Sequence, residues 1–133
     1  MKVYLFSGRS YRMTTDETAT GNGSFKIIKQ GKTDIGKIGL ERHGDIRALG
    51  IGSFEINKDQ RRKGHAERFL KQLIKKNKKK NDLIYCYVNE DNAPAIGLYN
   101  KIGKVGDKIV NHEPGTGKGQ YMVELYKKKG YTY

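Results

Sequence analysis

One stretch of this chain constrains its fold more than any other. Ala66, Phe69, Leu70, Leu73 and Ile74 fall at i, i+3, i+4, i+7 and i+8, with Glu67, Arg68, Lys71, Gln72, Lys75 and Lys76 on the remaining face. That period predicts an amphipathic helix over Ala66 to Lys76. Such a helix is stable only where its apolar stripe has a surface to bury against, and the flanking sequence supplies one. Ala48 to Ile56 before it and Leu83 to Val88 after it both read as strands. The chain therefore has to place a sheet against a helix.

The rest of the sequence extends that unit. Phe25 to Ile28 and Ile35 to Leu40, separated by Gly31 to Asp34, read as a hairpin, and a turn at His43 to Asp45 leads into the strand from Ala48. A second helix opens with Pro94 in its first turn and is stopped by Gly103. Two more strands, Lys104 to Val110 and Gln120 to Tyr126, surround a loop at Pro114 to Gly119. At the other end, Lys2 to Phe6 is a strand candidate. Ser10 to Ser24, rich in Thr, Gly, Asn and Asp, reads as a loop in which Thr15 to Thr20 are compatible with one helical turn. With 133 residues the expectation is one domain over 1–133 of mixed α/β class, a largely antiparallel sheet flanked by helices.

Composition narrows the function classes. The longest apolar runs, Val3 to Phe6 and Leu83 to Val88, are far short of the roughly 20 residues of a spanning helix. The residues after Lys2 also lack the apolar core of a secretory signal. Cys86 is the only cysteine and lies inside a strand pattern, so a reducing, cytoplasmic setting is expected. Lys plus Arg number 27 against 14 Asp plus Glu, a net charge of +13. That balance suits a polyanionic cofactor, nucleic acid, ribosomes or acidic proteins, and it argues against small polyamine substrates. Six of these lysines fall between Lys71 and Lys80, where they would complement the end of a helix or form a basic surface.

The turn between Ile56 and the first helix reads Asn57, Lys58, Asp59, Gln60, Arg61, Arg62, Lys63, Gly64, His65, Ala66. Three cations and two small residues at a helix N-terminus make a phosphate-binding place, or alternatively a basic turn with a glycine for positive φ. Other phosphate loops do not match. Gly115 to Gly119 lacks the Ser or Thr and the helix of a P-loop, and no Gly-x-Gly-x-x-Gly follows a strand. His43, His65, His112 and Cys86 share no metal-ligand spacing.

Two motifs resemble the GNAT N-acetyltransferases. Arg61, Gly64 and Ala66 are similar to that family's Arg/Gln-x-x-Gly-x-Gly/Ala loop, and Val88, Asn92, Ala95, Leu98, Tyr99, Lys101 and Gly103 to its V-x-x-x-N-x-x-A-x-x-L-Y-x-K-x-G stretch. The resemblance is good from Ala48 to Gly103 and loose beyond. It implies the GNAT fold with a shortened N-terminal helical region, and acetyl transfer from acetyl-CoA to a primary amine in a ternary complex. It also implies that the pyrophosphate of coenzyme A sits on the backbone of Arg62, Lys63, Gly64, His65 and Ala66, following Arg61. The pantetheine would pair with Phe54 to Ile56 and meet Asn92, and Tyr99 would protonate the leaving thiolate. The family's usual glutamate is replaced by Gly50 and Gly52, and Tyr87 stands where some relatives carry another carboxylate. Glu41, Glu55 or a water relay then remain for the acceptor's proton. A polar Ser10 to Ser24 segment in place of helices favours a bulky acceptor, a protein lysine or N-terminus, in a ribosomal or nucleic-acid assembly. The rival reading is a basic nucleic-acid-binding or protein-binding module that keeps the fold without catalysis.

Overall fold

The computed structural model describes residues 10–14, 19–20, 23–109 and 119–132. In chain order its elements are β1 (Tyr11–Met13), β2 (Ala19–Thr20), β3 (Gly23–Gln30), β4 (Thr33–His43), β5 (Ala48–Ile56), α1 (His65–Asn77), β6 (Leu83–Asn89), α2 (Ala93–Ile102), β7 (Lys104–Ile109) and β8 (Gln120–Lys127). Across the sheet the order is β1-β3-β4-β5-β6-β8-β7, with β2 pairing separately with β3. Every pairing is antiparallel except that of β5 with β6. A parallel pair needs a crossover, and α1 is that crossover. The architecture is the mixed α/β sheet that the sequence pattern predicts.

One expectation changes. The stretch Ser10 to Ser24, read as a loop, contains β1, β2 and the start of β3. Three-residue and two-residue strands carry too little alternation to stand out from polar sequence. What holds β1 is tertiary: the Gln72 side chain on α1 accepts from the Tyr11 N–H at 3.0 Å and donates to the Tyr11 carbonyl at 2.7 Å. The candidate strand Lys2 to Phe6, residues 15–18 of the candidate helical turn and most of the Pro114 to Gly119 loop lie outside the described residues.

Both helices cover one face of the sheet. Phe69, Leu70 and Leu73 of α1 and Tyr99 of α2 are buried in one cluster with Leu49, Ile51, Ile84, Cys86 and Val123. Phe69 stacks on Phe54 at 5.7 Å between ring centroids and meets the Tyr11 ring edge-on at the same distance. On the opposite face stand Glu41 and His43 of β4 and Tyr85 and Tyr87 of β6.

Two irregularities in β5 position the site. Between β4 and β5, Leu40 pairs with Ile51 and Gly39 with Ser53, so Gly52 is an extra residue. This bulge shifts the side-chain alternation, so that the residues facing the helices are Leu49 and Ile51 before it and Phe54 and Ile56 after it. At the same place β5 and β6 part, because their parallel pairing runs only from Ala48 and Leu83 to Ile51 and Cys86. Beyond it the strands diverge into a fork.

Phe69 is the pivot between α1, β1 and β5. Phe69→Ala should lower the unfolding free energy by about 3–5 kcal/mol, measured by urea denaturation.

Candidate active site

The fork opens into a cleft of about 750 Å³ bounded by the diverging strands and the N-termini of both helices. The approach to α1 has unusual backbone. Arg62 takes φ of 66° and Gly64 φ of 80°. Left-handed φ is cheap for glycine and costs other residues about 1–2 kcal/mol, so the turn around Arg62 is held against a local preference. Gly64 is the N-cap of α1 and offers no side-chain cap. Its carbonyl takes the Arg68 N–H at 3.2 Å, and the N–H groups from Arg62 to Glu67 meet no acceptor among the described residues. Unpaired N–H groups at the positive end of a helix dipole attract an anion.

The side chains around that turn divide the work. Arg61 pins it to the strand end: Nε donates to the Ile56 carbonyl at 3.0 Å and a terminal nitrogen lies 3.7 Å from Glu55. Arg62 lines the cleft, and its guanidinium has no acceptor among the described residues. Lys63 reaches Gln60 Oε1 at 3.4 Å and stands outside the cleft lining. Ala66, half-buried, adds only a methyl group to the wall.

His65 contributes backbone to the turn while its ring goes elsewhere. Its ring is 7% exposed and turned inward, with Nδ1 2.7 Å from the Tyr11 hydroxyl. Burial lowers its pKa from the usual 6.5, and the charges of Arg68 and Lys63 lower it further. A neutral ring accepts the Tyr11 hydroxyl proton there. The cleft therefore receives the backbone N–H of His65 while the ring anchors the helix start.

Phe54 and Ile56 lie on the arm of β5 that β6 has left, half-buried at the cleft wall. Across the cleft, Asn92 caps α2: its Oδ1 accepts from the Ala95 N–H at 3.3 Å. That leaves its Nδ2 without an acceptor among the described residues. Tyr99 sits deeper, 8% exposed, in the same buried cluster as Cys86. Burial, then the Cys86 sulfur, pushes the Tyr99 pKa above the ordinary phenol value. Burial pushes the Cys86 thiol up to about 12. Both groups are protonated at neutral pH.

Cys86, the Gly52 bulge and the Tyr11 contact with His65 have no counterpart in the sequence reading. Cys86 could have been found, since alternation places it with Ile84 and Val88 on the face that Tyr99 covers. The bulge and the Tyr11 contact depend on pairing between distant segments, which one sequence does not display.

Both carboxylates considered for proton abstraction can be placed. Glu55 is exposed and shared between Arg61 at 3.7 Å and Lys37 at 3.8 Å. Glu41 lies on the other side of β5, at a second hollow of about 390 Å³ formed with Gly50, Gly52, Tyr85 and Tyr87. The two hollows share Ile51, Gly52, Tyr87 and Gln120 as lining residues. Among the described residues no group of three His, Cys, Asp or Glu could hold a metal ion, and no helix is long and apolar enough to cross a membrane.

Residues 45–110 match the family model described as FR47-like protein. No curated protein matches the sequence significantly. Among solved structures, a mutant of the spermidine N-acetyltransferase SpeG from Vibrio cholerae superposes with a TM-score of 0.67 at 17% identity, covering 78% of this chain and 64% of that one. This chain thus spans less than two thirds of that relative. The NatC complex bound to Gag peptide and CoA gives a TM-score of 0.62 at 19% identity, covering 77% of this chain and 70% of that one. At these identities the likeness is one of fold.

The inward ring of His65 makes stability depend on pH. Because its folded pKa is depressed, the unfolded chain takes up the proton first, and stability present above the unfolded value of 6.5 is lost as pH falls through the folded one. The urea midpoint should therefore drop between about pH 7.5 and about pH 5.5, and His65→Gln should flatten that drop.

Proposed function

We propose that this chain, which belongs to the GNAT N-acetyltransferase family, moves an acetyl group from acetyl-CoA to a primary amine by direct attack in a ternary complex. The observation that carries this reading is that the turn from Arg62 to Glu67, whose N–H groups meet no acceptor among the described residues, borders the same cleft as Tyr99. One end of the cleft suits a pyrophosphate and the other suits a proton transfer. Coenzyme A has an anionic group for the first and a thiol leaving group for the second.

Each residue then has a chemical task. The N–H groups of Arg62, Lys63, Gly64, His65 and Ala66 hold the pyrophosphate, with the Arg62 guanidinium adding charge and Arg61 fixing the turn. The edge of β5 that β6 has left, around Phe54 and Ile56, offers backbone groups to the amide-bearing pantetheine, and the Asn92 Nδ2 offers a donor from the facing helix. At the inner end the acetyl carbonyl meets a neutral amine, the C–N bond forms and the C–S bond breaks. The departing thiolate, of ordinary pKa near 8.5, needs a proton, and Tyr99, kept neutral by burial, supplies it.

A protein lysine or N-terminus is the acceptor we favour. The hollow over Gly50 and Gly52 is open to solvent on the sheet face away from both helices, which suits an amine at the end of a polypeptide. The net charge of +13 disfavours free polyamines. The basic block from Lys75 to Lys80 lies at the far end of α1 from the cleft, exposed apart from half-buried Asn77. It is placed to meet a nucleic-acid or ribosomal assembly without entering the chemistry. A lone, buried Cys86 fits a reducing cytoplasm.

Acetyl-CoA and coenzyme A should raise the melting temperature while ATP and NAD do not. Tyr99→Phe should lower kcat on the order of 10²-fold with acetyl-CoA affinity nearly unchanged, by stopped assay and calorimetry. Steeply salt-dependent RNA or DNA binding without acetyl transfer would favour the non-catalytic reading.

A further inference from the structure

The hollow on the open face of the sheet has a specific construction. Glu41, Gly50 and Tyr85 are direct cross-strand neighbours on β4, β5 and β6. Direct partners project to the same side of a sheet, so the row reads carboxylate, no side chain, phenol. The two glycines are what allow it. A methyl group at Gly50 would come within 2.8 Å of the Tyr85 ring, and one at Gly52 within 3.0 Å of Glu41 Oε1. The carboxylate and the phenol thus reach over β5 from its two neighbours into space its own side chains would fill.

The two side chains are held differently. Tyr85 is fixed by a 3.0 Å hydrogen bond between its hydroxyl and His43 Nε2, and by an edge-on contact with Tyr87 at 5.8 Å. Glu41 has no ion-pair or hydrogen-bond partner among the described residues, in a chain where cations outnumber anions nearly two to one. Nearby, its charge is felt by Tyr85, whose pKa is raised by burial first and by Glu41 next. A carboxylate without a cation, walled by two tyrosines, fits a protonated amine, which gains from the charge and from the aromatic faces together.

We infer that this hollow is the site of the acceptor's ammonium group, and that Glu41 takes its proton before attack. The inference rests on the acyl-transfer reading above. The proton balance closes. The ammonium gives one proton to the Glu41 carboxylate, which returns it to solvent. The neutral nitrogen attacks the acetyl carbonyl through the Gly52 gap, where both hollows meet. The nitrogen's second proton is released as the amide forms, and the thiolate is protonated by Tyr99, which recovers that equivalent. Glu41 does from β4 what a carboxylate on β5 would do had Gly50 or Gly52 been one.

The test uses the full chain, acetyl-CoA and an unblocked lysine-containing peptide. Glu41→Gln should lower kcat/KM for the peptide on the order of 10²-fold near pH 7 with the Kd for acetyl-CoA unchanged. The deficit should shrink towards about pH 10, where the lysine loses its proton unaided. The other titratable side chains around this hollow are His43 on β4, Tyr85 and Tyr87 on β6, Glu124 on β8 and Tyr131 in the C-terminal segment. They are common to both proteins and cancel in the ratio of variant to wild type. Gly52→Ala, which displaces the Glu41 carboxylate, should give a deficit of the same kind, and Glu41→Asp a smaller one. A Glu41→Gln rate equal to wild type, or a deficit constant with pH, overturns the inference while acetyl transfer by the wild type still stands. Failure of the wild type to acetylate any amine while binding acetyl-CoA overturns both.

Discussion

Everything functional in this molecule depends on hydrogen bonds that β5 and β6 stop making. Two parallel strands paired along their full length would form a continuous sheet, and the helix that joins them would simply cover it. Here pairing ends at Ile51 and Cys86, and the ladder groups beyond that point belong to a cleft. Leaving backbone polar groups without partners is costly in a dry interior and tolerable where a polar ligand or water can reach them. The fork thus trades sheet continuity for a place that can bind an amide-rich chain. Its position also decides which side chains matter, because Cys86, Tyr99, Gly52 and Tyr87 all surround the branch point.

The charge of this chain separates into parts with different physical meaning. At the cleft, the N–H groups at the start of α1 and the Arg62 guanidinium meet no acceptor among the described residues, while Arg61 holds the turn to Ile56. On the opposite face stands Glu41, a carboxylate without an ion-pair partner among the described residues. Such an arrangement would draw an anionic donor and a cationic acceptor to opposite sides of one sheet. The exposed lysines at the far end of α1 belong to neither field, since at physiological salt a surface charge is screened beyond about 8 Å.

The sheet strands from β3 to β6 and both helices were legible because each carries its own period. The stripe from Ala66 to Ile74 shows the helical period within a single segment, and the alternation of Ile84, Cys86 and Val88 marks a strand with one face in the core. The basic turn stands out from residue types alone as a candidate anion site. Its workings do not, because the reversal of His65 into the protein depends on Tyr11, fifty-four residues earlier in the chain. β1 carries no period of its own: three residues cannot announce a strand, and its backbone is held by pairing with β3 and by the Gln72 side chain. Gly50 and Gly52 were visible as a missing carboxylate. That they make room for Glu41 from a neighbouring strand is a statement about register, and register is a property of pairs.

The bulge at Gly52 gives β5 two opposite parities. Odd-numbered residues face the helices up to Ile51, and even-numbered ones do so from Phe54 onward. Removing a single residue there would not merely shorten the strand. It would restore plain alternation, leaving Phe54 and Ile56 towards the helices, and would remove the one residue that makes room where the two hollows meet. The meeting of the two faces is thus encoded by one residue more than the neighbouring strand needs.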